Sequence, residues 1–199
     1  MHLKYVEERG RELRIVVGIT GASGSIYGVR LIEVLKQAGC EVHVVVTKSG
    51  LQVLAYECGL TKKNLVKKAD KLYNIEDIGA AIASGSFQND AMVVMPCSMK
   101  TLGSIANGIS DNLLTRAADV TLKEDRLLVL VPRETPVHAI HLENMLKLAR
   151  LGVKIVPACP AFYHKPQKIE DLVNMLVGKV CDSLHIEHQL FERWQGDNN

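Results

Sequence analysis

The chain is poor in aromatic residues and has no cysteine pattern of the kind that builds a small scaffold. Of its 199 residues, three are Phe, five Tyr and one Trp, 5% in all against 47% hydrophobic. The core must therefore be aliphatic, made of Val, Leu, Ile and Ala. The five cysteines, Cys40, Cys58, Cys97, Cys159 and Cys181, are odd in number, widely spaced and never C-x-x-C, which argues against a disulfide framework or a zinc site. Buried free thiols in a reducing compartment are expected. Charge of one sign is also lacking: charged residues make up 23% and the formal net charge is +2. That balance excludes bulk attraction to nucleic acid or to a membrane surface. No apolar run is long enough to span a bilayer. Residues 1–14 are charged and lack the apolar stretch of a signal peptide, so a cytoplasmic protein is expected. Neither G-x-G-x-x-G nor a Gly-Lys-Ser/Thr phosphate loop occurs.

What is present is an alternation of two periods. Residues 1–12 read as a polar extension, and residues 13–199 as one domain, a length that suits a single sizeable core. Residues 13–19 form a short apolar run rich in β-branched residues, as in a strand covered on both faces. Similar runs lie at 41–46, 91–95, 127–131 and 153–156. Between them, helical spacing is read at 26–38, 49–58, 101–106, 112–123, 137–150 and 169–185. The Lys-rich stretch 61–71 reads as an exposed helix or loop. Strands alternating with helices predict βαβ units and an α/β fold with a mainly parallel sheet. In such sheets ligands bind outside the carboxyl ends of the strands.

Those ends carry the candidate site. The first ends in Gly18-Ile19-Thr20-Gly21-Ala22-Ser23-Gly24-Ser25, whose glycines allow close backbone approach and whose following helix start offers N–H groups to a phosphate. The second ends at Thr47, a helix cap or a ligand contact. The third ends in Met95-Pro96-Cys97-Ser98-Met99-Lys100-Thr101, with Pro96 expected to stop the strand. Arg116 and Lys123, two turns apart, share one helix face behind a cap expected at Ser110-Asp111. The fourth ends in Pro132-Arg133-Glu134-Thr135-Pro136, read as a helix start with Pro at its first position. Arg133 there suits a bidentate anion contact and Glu134 proton transfer. The fifth ends in a proline-stiffened loop with Tyr163 and His164, and Lys179 adds a cation from the last helix. Many donors and one obvious carboxylate point to a ligand with phosphate groups.

These stretches, together with Ala83-Ser84-Gly85-Ser86-Phe87, Ser110-Asp111-Asn112-Leu113-Leu114, Arg116-Ala117-Ala118-Asp119-Val120 and Pro160-Ala161-Phe162-Tyr163, resemble in order the flavin prenyltransferases of the UbiX type. The resemblance implies a three-layer α/β/α sandwich, flavodoxin- or Rossmann-like, assembled as a dodecamer with sites between subunits. It implies a metal-independent enzyme that joins the dimethylallyl group of dimethylallyl monophosphate to N5 and C6 of reduced FMN, releasing phosphate. The prenylated flavin then serves a partner decarboxylase. Carried over position by position, FMN contacts Gly21, Ala22, Ser23, Thr47, Ser98, Met99, Lys100, Thr101 and Arg133. The prenyl phosphate contacts Arg116, Lys123, Arg133, Tyr163 and Lys179. Glu134 handles the proton, Ser23 and Glu57 lie near the reacting edge of the flavin, and Trp194 covers the site. Lys179 stands where the family more often has Arg. Two other readings share the fold or the ligand: an FMN-dependent cysteine decarboxylase of the peptidyl-cysteine type, expected to carry Pro-Ala-Ser-Ala-Asn-Thr where this chain has Pro-Cys-Ser-Met-Lys-Thr, and a non-catalytic FMN carrier. The sequence leaves monophosphate against diphosphate open.

Overall fold

A computed structural model describes residues 12–196, so nearly all of the expected polar extension lies outside the described residues. Six strands, β1 (Arg14–Ile19), β2 (Glu41–Val46), β3 (Lys71–Tyr73), β4 (Ala91–Cys97), β5 (Leu127–Pro132) and β6 (Lys154–Ile155), form one sheet in the order β3-β2-β1-β4-β5-β6. Every pairing is parallel. The order reverses between β1 and β4, which makes the crevice above these two strands the expected ligand position.

The strands alternate between two apolar layers, as a two-residue side-chain period requires, except at the end of β4, where a register shift between Val94 and Cys97 turns Cys97 to the other layer. Ile15, Val17 and Ile19 of β1, with Val42, Val44 and Val46 of β2, face one core; Val16 and Val45 face the other, with Met92, Val94, Leu128 and Leu130. The first core is covered by α1 (Ser25–Gln37), α2 (Lys48–Cys58), α3 (Lys62–Val66) and α7 (Ile169–Ser183). The second is covered by α4 (Met99–Ala106), α5 (Leu113–Lys123) and α6 (Ala139–Arg150). The result is the α/β/α sandwich expected. Gly18 gives Leu114 of α5 its seat: a Cβ at Gly18 would meet the Leu114 side chain at 3.0 Å.

Several local expectations need correction. The Lys-rich stretch hides an element: α3 ends at Val66 and the three-residue edge strand β3 begins at Lys71. It has too few residues to show a period. Pro96 does not stop β4; it lies inside the strand, after a cis peptide bond. Pro136 does not open α6 either. The Thr135–Pro136 bond is cis and the helix starts three residues later, with His138 at its N-cap. The cap of α5 is Asn112, whose side chain accepts from Thr115 N while the Thr115 hydroxyl accepts from Asn112 N, so Ser110 and Asp111 lie outside the helix. The fifth expected strand shrinks to the two residues of β6. Of the thiols, Cys40, Cys97 and Cys181 are buried, Cys58 is half-buried and Cys159 is exposed. Burial pushes the Cys97 and Cys181 thiols up to about 12, so neither is a thiolate nucleophile near neutral pH. No helix among the described residues is long and apolar enough to cross a membrane.

Candidate active site

Thr20 fixes the crevice where the strand order reverses. It is 1% exposed. Its hydroxyl donates to Pro96 O at 2.7 Å and accepts from Ser98 N at 2.8 Å. Its backbone N–H also reaches Pro96 O, at 3.2 Å. One side chain thereby fastens the loop after β1 to the loop after β4. Arg133 continues the chain of ties: its N–H donates to Cys97 O, and its Nε donates to Ser23 O, each at 3.2 Å.

Glu57 on α2 completes this corner. Its carboxylate accepts from Gly24 N and Ser25 N, both at 2.9 Å, across the start of α1. Burial opposes the charge on Glu57. Hydrogen bonds from the Ser23 side chain and the Ser25 and Gly24 N–H groups, with the nearby Arg133 charge, outweigh it and hold the carboxyl below its ordinary 4.5. These bonds correct a sequence expectation. Glu57 occupies two of the N–H groups at the start of α1, those of Gly24 and Ser25, which the sequence reading offered to a phosphate, and the same carboxylate offsets the positive pole of the helix. Gly21, too, is needed for packing: a Cβ there would meet Ser49 Oγ at 2.5 Å. Gly24 sits at φ 101°, in the left-handed region, at the N-cap of α1.

The anion-binding character passes to the next two helices. Thr47 caps α2, accepting from Gly50 N at 2.9 Å, and Ser98 caps α4, accepting from Thr101 N at 3.3 Å. The first-turn N–H groups of Lys48, Ser49, Met99 and Lys100 have no carbonyl a turn earlier to bond to, and they point out of the same sheet edge. The Lys100 ammonium itself is turned to Asp111, at 2.9 Å. Ala22 is buried in the loop. A cleft of about 450 Å³ opens here, lined by Gly21, Ser23, Gln52, Val53, Tyr56, Glu57 and Arg133, a size suited to a small-molecule ligand. Gln52, Val53 and Tyr56 were not singled out from the sequence. The sequence signal was Tyr56, the single aromatic residue of α2, which the structure leaves 91% exposed at the cleft.

The remaining candidates fall into two further groups. Tyr163 meets Trp194 edge-on, with ring centroids 6.0 Å apart. Both line a second cavity of about 380 Å³ with His164, Lys165, Glu192 and Arg193. Lys179 of α7 pairs with Asp182 at 3.3 Å, the carboxylate that Arg193 also binds. Glu134 is exposed, and its carboxylate accepts from Thr135 N at 3.1 Å.

Arg116 and Lys123 do not join Arg133 within the chain. Arg116 pairs with Asp119 at 2.8 Å and donates to Ala83 O. Lys123 pairs with Glu124 at the last turn of α5, four residues before β5 begins. A parallel strand begins at the amino edge of the sheet, so Lys123 lies at the edge opposite Arg133. Within one chain Lys123 and Arg133 therefore do not converge, and the sites between subunits that the resemblance implies require a second copy to bring them together. For Lys123 the reason is topological, since α5 runs antiparallel to the strands and carries its C-terminal end away from the crevice; Arg116, near the start of α5, is instead engaged by Asp119 and Ala83 O.

Comparison with known proteins follows the same lines. The family model described as Flavoprotein matches residues 4–181. Flavin prenyltransferase LpdB of Lactiplantibacillus plantarum is 55% identical over 185 residues, covering 92% of this chain and 99% of that protein. Among solved structures, AnUbiX in complex with FMN and dimethylallyl pyrophosphate superposes with a TM-score of 0.92 at 45% identity, covering 94% of this chain and 100% of the other. A dodecameric FMN-dependent UbiX-like decarboxylase from Escherichia coli O157:H7 gives a TM-score of 0.90 at 46% identity, covering 92% and 100%.

Proposed function

The chain belongs to the flavoprotein family and, within it, to the UbiX-type flavin prenyltransferases, and from that premise we propose how its own residues divide the work. It is a transferase that moves a dimethylallyl group from a prenyl phosphate to FMN; in this reading the flavin is reduced and the new bonds form at N5 and C6. The observation that carries the reading is the meeting of Ser23, Glu57 and Arg133 around one cleft at the β1/β4 crevice. FMN suits the donors there. The Arg133 guanidinium, the hydroxyls of Ser23, Thr47, Ser98 and Thr101, and the first-turn N–H groups of α2 and α4 outnumber the acceptors, and the one carboxylate is already hydrogen-bonded. When bound, reduced FMN supplies the nucleophilic nitrogen and carbon.

The protein's part is orientation and charge. Gly21, Ala22, Ser23, Thr47, Ser98, Met99, Lys100, Thr101 and Arg133 hold the flavin. Ser23 and Glu57 border its reacting edge. The donor is dimethylallyl monophosphate, and Arg133 and Tyr163 hold its phosphate and stabilise the charge that builds as it leaves. Glu134 carries the proton exchanged with that phosphate. Lys179 strengthens the local positive field, and Trp194 shields the prenyl chain from water.

Arg116 and Lys123 serve a neighbouring chain's cleft in a dodecamer. Their side chains are 38% and 47% exposed on α5, and Lys123 lies at the sheet edge opposite its own Arg133, so a second copy is what brings it to a phosphate. The prenylated flavin passes to a decarboxylase in the cytoplasm. The cysteine-decarboxylase reading fails on the loop Pro96-Cys97-Ser98-Met99-Lys100-Thr101, which lacks that family's Asn.

The test is to incubate the protein with reduced FMN and dimethylallyl monophosphate without oxygen and weigh the flavin. A gain of one five-carbon unit is expected; unmodified flavin refutes the reading. Running the diphosphate in parallel identifies the donor. For the shared site, Arg133→Ala and Lys123→Ala chains are each expected to lose at least about tenfold in turnover, since a charge-assisted hydrogen bond is worth roughly 1.5–3 kcal/mol. Co-assembled, they should regain activity, because some clefts then receive one intact half from each. No regain would place both cations in one chain's site and overturn the shared arrangement.

A further inference from the structure

The segment after α7 has no regular secondary structure, yet it places Trp194 against Tyr163. Backbone bonds tie its first residues, to Ile186, back onto α7; farther along, side chains hold it and converge on one carboxylate. Arg193 forks onto Asp182, Nη1 to Oδ2 at 3.1 Å and Nη2 to Oδ1 at 2.7 Å. His188, whose side chain is 3% exposed, reaches the same carboxylate from Nε2 at 3.2 Å. Its Nδ1 accepts from Leu190 N at 3.2 Å, so the proton of a neutral ring sits on Nε2 and is donated to Asp182. Lys179 adds a fourth donor at 3.3 Å.

The seat below is shaped for this segment. A Cβ at Gly178 would meet Phe191 Cε1 at 2.5 Å and His188 Cε1 at 2.7 Å. The absence of a side chain on α7 is therefore what lets Phe191 and His188 lie flat on the helix. Arg193 also stacks over the Phe191 ring, 5.4 Å from its centroid. Tyr163, Arg193 and Trp194 then form one wall of the second cavity.

We propose that Asp182 and Arg193 are positioning residues for prenyl transfer: their forked pair, seated on Gly178, clasps the C-terminal segment to α7 and so holds Trp194 over Tyr163 at the prenyl-donor end of the site. The inference rests on the reading above only in taking Tyr163 and Trp194 as that end. Lys179, bound to the same carboxylate, is part of the clasp as well as of the positive field.

The test uses the assembled enzyme and three variants, Asp182→Asn, Arg193→Gln and the double. Trp194 is the single tryptophan, so its fluorescence anisotropy decay reports motion of the segment alone. Each single variant should add a fast component to that decay. Each should raise KM for dimethylallyl monophosphate about fivefold or more, a modest factor because the pair is partly solvent-screened. FMN affinity should not change, and kcat should move far less than KM. The double variant should be no worse than either single one. Gly178→Ala, which keeps every charge but lifts Phe191 and His188, should reproduce the KM rise and so covers the case in which a charge variant fails to assemble. A mobile Trp194 with unchanged KM, or additive effects in the double variant, overturns the clasp and leaves the prenyltransferase reading standing. Failure of the unaltered enzyme to prenylate FMN strikes that reading instead.

Discussion

Replacing Thr20 by Val tests the reasoning at its most constrained point. The side chain keeps its volume and branching but loses the hydroxyl that joins two loops across the crevice. Pro96 O keeps a partner, because Thr20 N still reaches it. Ser98 N loses its acceptor at 2.8 Å. An orphaned backbone donor costs about 1–3 kcal/mol when buried. Ser98 is only half-buried, so water recovers part of that and the expected loss is about 1–2 kcal/mol. For a chain of this size each kcal/mol lowers Tm by about 2–4 °C, which gives a fall of about 2–8 °C in thermal denaturation at fixed protein and flavin concentrations. Because Ser98 also caps α4, FMN affinity should fall alongside. The control is Thr20→Ser, which keeps the bridge and loses one buried methyl, and it should retain FMN affinity. A Val variant within about 0.5 kcal/mol of the parent, the ordinary range for surface substitutions, would refute the claim that this hydroxyl holds the crevice together.

Other expectations follow from single contacts. Gly28→Ala should fail to yield folded protein by circular dichroism and gel filtration. The new Cβ would be driven into Met95 O, a backbone atom of a central buried strand, and the gain of about 1 kcal/mol in helix propensity cannot offset that. Arg126→Ala should lower stability by about 2 kcal/mol or more in a denaturant titration, since its guanidinium donates to Gly85 O, Phe87 O and Asn89 Oδ1, each at 2.7 Å. Acid should release the C-terminal clasp late. Burial works against the Asp182 charge, but Arg193, Lys179 and His188 together pull the carboxyl from 3.8 to about 2. A depressed folded pKa means its stabilisation is fully present above pH 3.8 and is lost as pH falls towards about 2. Trp194 anisotropy should therefore hold steady from neutrality to about pH 4 and drop below it; a transition well above pH 4 would refute the assignment to Asp182.

The architecture was legible because its signal is redundant. Each of the central strands β1, β2, β4 and β5 carries a run of β-branched or aliphatic residues, and each intervening helix shows its own period. Of the edge strands, β6 was read, two residues too long, at 153–156, while the three residues of Lys71–Tyr73 are too short to show any period and were missed. Proline misled twice, at Pro96 and Pro136, because the usual reading assumes a trans bond before it and both bonds here are cis. For the site, Ser23, Arg133 and the capping hydroxyls of Thr47 and Ser98 were legible as residues at carboxyl ends. The capture of the α1 start by Glu57 was not, because that carboxylate arrives from 33 residues away through packing of α2 on α1. The division of Lys123 from Arg133 was hidden for a related reason: helical spacing shows that two cations share a face but not which end of the sheet that face approaches.

The shortness of β3 and β6 limits how copies of this protein can join. A long, bare edge would present a ladder of unpaired N–H and C=O groups to another chain. Here each margin offers only two or three residues, so there is little for a visiting strand to zip onto. Growth of the assembly by merging sheets is thus disfavoured, and contact between copies falls to helix surfaces, where α6 turns Ile140, Leu142 and Leu146 outward.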